Sequence, residues 1–249
     1  MAQRVVVWVS GGVPSAIAAK IAIKKYKNSL PVVLVNTDTR AEHEDNYRFL
    51  GDISKWLGCD IQMLQSKRYN DPHDVYRKTK YLVGVRGARC SLELKKKVRQ
   101  EFENLSSDLQ VFGYTFDKSD ILRSEKFKVN NPLVNTWFPL IESELTNLDC
   151  HKAIQEAGIR RPLTYDFGFK NANCLKTGCV KGNMGYWNWF RKYNPDAFDR
   201  MAKLERKLDI AICKTYKNGK RVRVFLDELD PNRGNYKMEP AIKCGLYCE

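Results

Sequence analysis

Val5-Val6-Val7-Trp8-Val9-Ser10-Gly11-Gly12-Val13-Pro14-Ser15 is the stretch that decides the fold. Its first five residues are apolar without alternation, as expected of a strand buried on both faces in a parallel sheet. Glycines follow at once. Pro14 suits the first turn of a helix, and Ile17, Ala18, Ile21 and Ala22 then recur at helical spacing. Ligands of doubly wound sheets sit beyond the carboxyl ends of the strands, which is where Ser10, Gly11, Gly12, Val13, Pro14 and Ser15 fall. Glycine lets an anion approach the backbone, the amides of the 12–15 turn can point into it, and the positive end of the following helix favours its charge. Ser10 and Ser15 add hydroxyl groups. The competing structural reading is a tight turn with no ligand. Neither a Gly-x-Gly-x-x-Gly pattern nor a Walker A lysine is present, which disfavours hydride-transfer enzymes and ordinary NTPases.

Outward from this stretch, Pro31-Val32-Val33-Leu34-Val35 reads as a second buried strand ending at Asn36, Thr37 and Asp38. A helix follows with Phe49, Leu50, Ile53, Trp56 and Leu57 on one face, and Gly58 stops it. Apolar runs at Ile61 to Leu64 and Leu109 to Phe112 supply further strands. Strands alternating with helices predict an α/β fold, a doubly wound, mostly parallel sheet with right-handed crossovers. From Pro139 the texture changes: a helix over Asp149 to Glu156, a Gly, Asn and Cys-rich loop, then Pro195 opening a helix that carries Phe198, Met201 and Ala202. The expected organisation is a nucleotide-binding domain over 1–138 and a small Cys-containing C-terminal module over 139–249. The basic stretch Lys214 to Arg223 reads as a solvated turn.

A chain of 249 residues, 43% hydrophobic and 29% charged, can bury a substantial core. Its formal charge of +14 favours polyanionic partners, either nucleotides or nucleic acid. No arginine-rich block, aromatic-interleaved stripe or zinc-finger spacing marks a nucleic-acid module. No apolar run approaches the roughly 20 residues that span a bilayer, and no export signal is evident, so a cytoplasmic protein without membrane contact is expected. In that compartment the eight cysteines stay reduced, which favours metal binding, thiol chemistry or burial over disulfides. Nothing in the chain specifies an oligomeric state.

Cys174 and Cys179 flank a short Leu-Lys-Thr-Gly loop, where two thiolates can converge on one metal or cluster, and Cys244 and Cys248 can do the same. The alternative is burial as small hydrophobes, taken as the default for Cys59, Cys150 and Cys213. Soft thiolates suit zinc and an iron–sulfur cluster alike. His43, His73 and His151 lack ligand spacing and read as packing or surface residues, while Trp187, Trp189 and Phe190 read as core.

The loop resembles the Ser-Gly-Gly-x-Asp-Ser signature of PP-loop pyrophosphatases. Further segments over residues 4 to 190 resemble the phosphoadenosine phosphosulfate (PAPS) reductase branch of that superfamily and the related DNA phosphorothioation enzymes. Asn36-Thr37-Asp38-Thr39 with Glu42-His43 is similar to the family's second-strand segment, which flanks the adenosine, and Arg89-Cys90-Ser91 with Leu94-Lys95 to its Cys-x-x-x-Leu-Lys segment. Gly113-Tyr114 with Ser119 and Arg123 resembles its Gly-x-Arg and Ser-x-x-Arg region. Pro139-Leu140, Pro162-Leu163-Thr164-Tyr165, Gly168-Phe169, Gly178-Cys179 and the terminal Cys244-Gly245-Leu246 follow the family order. The resemblance implies an adenine-nucleotide site, ATP or PAPS, with Asp38 near the adenosine or a Mg2+ ion. It adds Cys90 as a fifth candidate ligand of a 4Fe–4S cluster or Zn2+. Five candidates exceed four positions, and Cys244 is the exception of choice, as a reactive thiol. Two departures stand out: Pro14 occupies the usual Asp position, and Tyr247-Cys248 stands where the reductases have histidine.

These observations predict a PP-loop enzyme of sulfur or nucleotide chemistry that binds ATP in preference to PAPS. Its expected reaction is substrate adenylation with release of pyrophosphate, by positioning and charge stabilisation. One alternative is reduction of PAPS by a Cys244 thiolate. From another class, a non-catalytic nucleotide sensor or nucleic-acid-binding accessory protein accommodates Pro14 and the positive charge.

Overall fold

The computed structural model describes residues 2–84, 87–172 and 174–242. Its elements run β1 (Arg4–Trp8), α1 (Val13–Tyr26), β2 (Val32–Thr37), α2 (Glu44–Leu57), β3 (Ile61–Leu64), α3 (Pro72–Thr79), β4 (Val83–Gly84), β5 (Gly87–Ala88) and α4 (Arg89–Ser91). A π-helical turn over Leu92–Lys96 leads into α5 (Lys97–Phe102), β6 (Asp108–Phe112), α6 (Lys118–Asn130), β7 (Thr136–Trp137), α7 (Pro139–Glu142), α8 (Asn147–Glu156) and α9 (Leu163–Asp166). The remainder is α10 (Met184–Tyr193), α11 (Pro195–Leu208), β8 (Cys213–Lys217), β9 (Lys220–Val224) and a 3-10 turn over Leu226–Glu228.

Two compact units divide the chain: Met1–Thr37 with Glu44–Leu64 and Arg99–Asp166, and Asp38–His43 with Gln65–Val98 and Phe167–Glu249. The division differs from a single boundary at residue 138. Residues 139–166 fold with the first unit because Leu140, Cys150 and Ile154 bury against Val13, Ile17, Phe49 and Ile53.

The first unit is built on a five-stranded sheet of order β3-β2-β1-β6-β7 in which every pairing is parallel. Alternate β1 side chains serve opposite faces. Val5, Val7 and Val9 pack with Ala19, Ala22 and Leu50 from α1 and α2. On the opposite face Trp8 donates to Gln110, and Phe112 meets Phe127 of α6 at 5.4 Å between ring centroids. Helices therefore cover both faces, the doubly wound α/β arrangement. Because β1 connects onward to β2 and β6 to β7, the strand order reverses between β1 and β6, and their carboxyl ends form the switch point where such sheets bind ligands. The two-residue strand β7 was not foreshadowed by any apolar run.

In the second unit, α10 and α11 bury Trp187, Phe190, Phe198 and Met201 in one core with Tyr76, Leu94 and Leu226. Trp187 and Phe190 are core residues, as their pattern predicts. His43 packs on the rings of Phe167 and Tyr193. Lys214 to Arg223 is solvated, as expected, but it is more than a turn: it forms most of the antiparallel hairpin β8–β9 around Asn218-Gly219. No helix of the described residues is long and apolar enough to cross a membrane.

Candidate functional site

The loop after β1 is shaped by backbone rules before any ligand is considered. Gly11 has φ 77°, in the left-handed region that favours glycine. Gly12 is the N-cap of α1 in extended conformation, and its missing side chain leaves the first-turn amides without a side-chain cap. Pro14 occupies the first turn and contributes no N–H, so the donors of this turn reduce to the amides of its neighbours. No acidic residue stands in that first turn, while Lys24 and Lys25 close the last one. The N-terminal end of α1 thus keeps its positive dipole end uncompensated.

Inside the loop, Ser15 Oγ donates to Gly12 O at 2.7 Å and accepts from Ser10 N at 3.0 Å. Ser10 Oγ is 3.2 Å from the same atom. The buried Ser15 hydroxyl is therefore spent on holding the loop, and the exposed Ser10 is the serine that faces outward. Asn36 fixes the approach by donating from Nδ2 to Val9 O at 2.6 Å.

Two neighbours complete the surroundings of the loop. A Cβ built on Gly12 would stand 3.6 Å from both Ser10 Oγ and Tyr165 Oη, which brings the phenol of α9 to the loop's edge. Helix α9 is anchored by Leu163 N donating to Asp45 Oδ2 at 2.7 Å, and Arg48 beside Asp45 holds that carboxyl well below the usual range, at about 2. His151 meets the Tyr165 ring edge-on at 4.9 Å, its pKa lowered by burial and then by Arg161. Tyr165 had signalled itself only as the last member of a Pro-x-x-Tyr motif. The second neighbour is Gly113, directly after β6: a Cβ there would lie 2.6 Å from Ser15 Cα and 2.8 Å from Ser15 N. Only glycine lets β6 and the loop meet this closely.

Arg123 lies next along β6's exit. Its guanidinium sits 4.5 Å above the Tyr114 ring and pairs with Asp120 at 3.0 Å. Asp120 in turn accepts from Thr115 Oγ1 at 3.1 Å. Ser10, Gly11, Gly12, Val13, Pro14, Ser15 and Arg123 all belong to the first unit.

Asp38 belongs to the second unit. Its carboxylate accepts from Arg40 N at 2.7 Å through one oxygen and from Gln65 Nε2 at 2.8 Å through the other. Arg40 has φ 56°, so this carboxylate holds a left-handed turn in place.

The same unit gathers Cys90, Cys174 and Cys179. The three thiols act electrostatically on one another and on the buried Tyr76, whose hydroxyl bonds with Cys90. Cys90 lies on α4, just before the π-helical turn that carries Lys95, an irregularity common at functional positions. Thr39 Oγ1 is 3.6 Å from Cys174 Sγ, and Lys176 N donates to Ala41 O at 3.0 Å, tying the 174–179 loop to residues 38–43. Glu42 and Lys95 pair at 3.8 Å. Burial pushes the Cys174 thiol up to about 11 against the opposing effect of Lys95, and pushes Cys179 up further. Both are thiols at neutral pH, not poised thiolates. Among the described residues no group of three or more His, Cys, Asp or Glu is arranged to hold a metal ion. The donor chemistry, three soft sulfurs of which Cys179 is buried and Cys90 and Cys174 are half-buried, nevertheless suits a thiophilic metal. Cys244 and Cys248 lie outside the described residues. Burial accounts for Cys150 and Cys213, whose thiols it pushes up to about 12.

No protein-family model and no curated protein matches the chain. Among solved structures, it is similar to phosphoadenylyl-sulfate (PAPS) reductase from Candida auris in a phosphate complex, with a TM-score of 0.48 and 14% identity over 69% of this chain and 81% of that one. It is also similar to the U34-tRNA thiolase NcsA from Methanococcus maripaludis with its 4Fe–4S cluster, with a TM-score of 0.48 and 13% identity over 84% of this chain and 74% of that one.

Proposed function

We propose that the protein is a PP-loop enzyme that binds an adenine nucleotide, ATP in preference to PAPS, and transfers the adenylyl group to an acceptor with release of pyrophosphate. One observation carries this reading: an uncapped helix N-terminus without a first-turn acid, preceded by a left-handed glycine, sits at the switch point of a parallel sheet. Such a loop grips a phosphate or pyrophosphate with backbone donors and dipole. It holds the leaving group still and stabilises the charge that develops on it. Ser10 Oγ and Tyr165 Oη are the hydroxyls at its edge. Arg123, backed by Asp120 and the Tyr114 ring, is the cation we assign to the nucleotide, and Asp38 is a positioning residue for the segment after β2.

Cys90, Cys174 and Cys179, with a further thiolate from Cys244 or Cys248, would hold zinc or an iron–sulfur cluster. Such a group supplies a soft Lewis-acidic or redox-active centre. Ligation by thiolates releases the thiol protons, so loading becomes stronger as pH rises.

The test measures pyrophosphate release from ATP with thiol, amine and nucleic-acid acceptors, alongside calorimetric binding of ATP and PAPS. Tight ATP binding with acceptor-dependent pyrophosphate release is the expected result. ATP binding without turnover across the panel would replace this reading with a nucleotide sensor, and sulfite release from PAPS would replace it with a reductase. Metal analysis of anaerobically purified protein, compared with Cys174→Ser, separates zinc, iron–sulfur and metal-free states.

A further inference from the structure

The β8–β9 hairpin is the part of the second unit that the reading above leaves unused. Between Ile210 and Leu226 the chain carries five cations, Lys214, Lys217, Lys220, Arg221 and Arg223, and no acidic residue. Register places Lys214 opposite Arg223 and Tyr216 opposite Arg221, so these four side chains share one face of the ribbon. Lys217 stands opposite Lys220. Like charges directly opposed across strands are destabilising. Arg223 is relieved by Asp209, whose carbonyl accepts from it at 2.9 Å, whereas the rest of the face has no acid on either strand.

Lysine on short strands can serve simply to block edge-to-edge aggregation. That role does not call for an aromatic ring at the centre of the basic face, yet Tyr216 is 73% exposed there. At the foot of the hairpin lies a cleft of about 880 Å³, to which Lys181, Lys214, Tyr216, Arg221 and Arg233 contribute. The one acid lining it, Glu239, is outnumbered by these cations and is turned to the protein: its two carboxylate oxygens accept from the amides of Gly185 at 2.7 Å and Tyr186 at 2.9 Å, at the N-terminal end of α10. The cleft therefore presents net positive charge with one exposed aromatic face.

The hairpin is also rigidly seated. Glu205 of α11 accepts from Ile212 N, just before β8, and from Leu226 N at 2.7 Å, just after β9. Arg233 donates to Thr215 Oγ1 at 2.5 Å from outside the ribbon.

We propose that the β8–β9 hairpin and its cleft bind single-stranded nucleic acid, the cations tracking phosphates and Tyr216 stacking on an unpaired base. Stacking on a basic surface is the physical pattern of sequence-tolerant single-strand binding, and the ring selects strands over duplexes because a base in a duplex has no free face. This surface belongs to the second unit alone and does not depend on the phosphate loop being an ATP site.

Fluorescence anisotropy with labelled 12-nucleotide RNA and DNA strands, and with a blunt duplex, over a series of salt concentrations tests the proposal. Single strands should bind more tightly than the duplex, with an affinity that falls steeply with salt. Tyr216→Ala should weaken single-strand binding by about 5- to 160-fold without changing the salt slope. Lys214→Glu with Arg221→Glu should weaken it further and reduce the slope by about one per charge removed. The control Lys126→Glu, at an exposed position of α6 in the first unit, should leave binding within about twofold. Calorimetric ATP binding and circular dichroism, unchanged in every hairpin variant, establish that the fold is intact and keep this result separate from any failure of the phosphate-loop reading. The proposal is overturned if the hairpin variants bind like the wild type, if Lys126→Glu costs as much as they do, or if the duplex competes equally and Tyr216→Ala has no effect.

Discussion

Gly113→Ala is the substitution that most directly interrogates the phosphate loop. Its new Cβ would stand 2.6 Å from Ser15 Cα, 2.8 Å from Ser15 N and 3.0 Å from the Pro14 carbonyl carbon, all backbone atoms. Carbon atoms in contact settle near 3.5 Å, so loop and strand must separate by about 1 Å. No side-chain rotation can absorb that movement. Overpacking of this kind costs about 1–3 kcal/mol of stability. The displaced segment carries the donors proposed to face the phosphate, and a misplacement of about 1 Å would cost roughly 100-fold in turnover. ATP affinity, read by calorimetry, should fall at least about tenfold, or about 1.4 kcal/mol. Gly51→Ala is the internal control: a Cβ there meets nothing within 4 Å on α2, and the change should stabilise that helix by about 0.5–1 kcal/mol while leaving ATP binding alone. A folded Gly113→Ala protein with wild-type ATP affinity and turnover would refute the placement of the nucleotide at this loop.

Three further outcomes follow from the same geometry. Gly12→Val should fold normally, because the site has ordinary contacts at 3.6 Å and φ −96°, yet lose ATP binding by more than about tenfold by calorimetry, since its side chain occupies the phosphate's approach. Glu103→Ala should cost about 3–5 kcal/mol in urea unfolding: Glu103 accepts from the buried Arg99 at 2.5 Å and from Gln110 at 2.7 Å, and its loss breaks a buried ion pair. Burial pushes Glu205 up to about 7 from the ordinary carboxyl value of 4.5, so its contribution to stability is complete below pH 4.5 and is lost as pH rises through 7. Unfolding free energy should therefore decline over that window by up to about 3 kcal/mol, and Glu205→Gln should abolish the slope while lowering stability at pH 5, where its amide nitrogen cannot accept from a backbone N–H.

The parts of the fold legible in the sequence are those whose signal is local. The β1 run, Gly11-Gly12 and Pro14 write strand, turn and helix consecutively, and the structure places them so. Pro195 opening α11 is of the same kind. What escaped has its cause elsewhere in the chain. Strand β7 is two residues long and exists because β6 offers it an edge. The β8–β9 hairpin lacks the apolar alternation of a half-buried strand, because only its first residue, Cys213, is buried; the Asn218-Gly219 pair was the signal that could have found it. Cys174 and Cys179 are paired by spacing and Cys90 is joined to them by the family resemblance, but Tyr76 meets them only through packing of distant segments. Tyr165 reaches the loop because Asp45, on another helix, anchors the start of α9.

These contacts also rank the loop's own residues. Ser15 Oγ donates to Gly12 O and accepts from Ser10 N, so its role is to close the turn, and Pro14 supplies neither an N–H nor the carboxylate of the pattern its position resembles. The grip is left to backbone amides, the helix dipole and Ser10. Ser10→Ala should then weaken ATP binding by only the value of one hydrogen bond to a charged group, about 1.5–3 kcal/mol. Ser15→Ala should act on loop stability, visible as a lower melting temperature that saturating ATP partly restores. Pro14→Asp would bring a negative charge to the positive end of α1, where it stabilises the free helix by about 0.3–1 kcal/mol and opposes a phosphate bound there. A more stable Pro14→Asp protein with weaker nucleotide binding in the absence of Mg2+ is the expected signature of a site built to hold an anion by its backbone. Tighter binding without the metal would mean that the anion lies elsewhere.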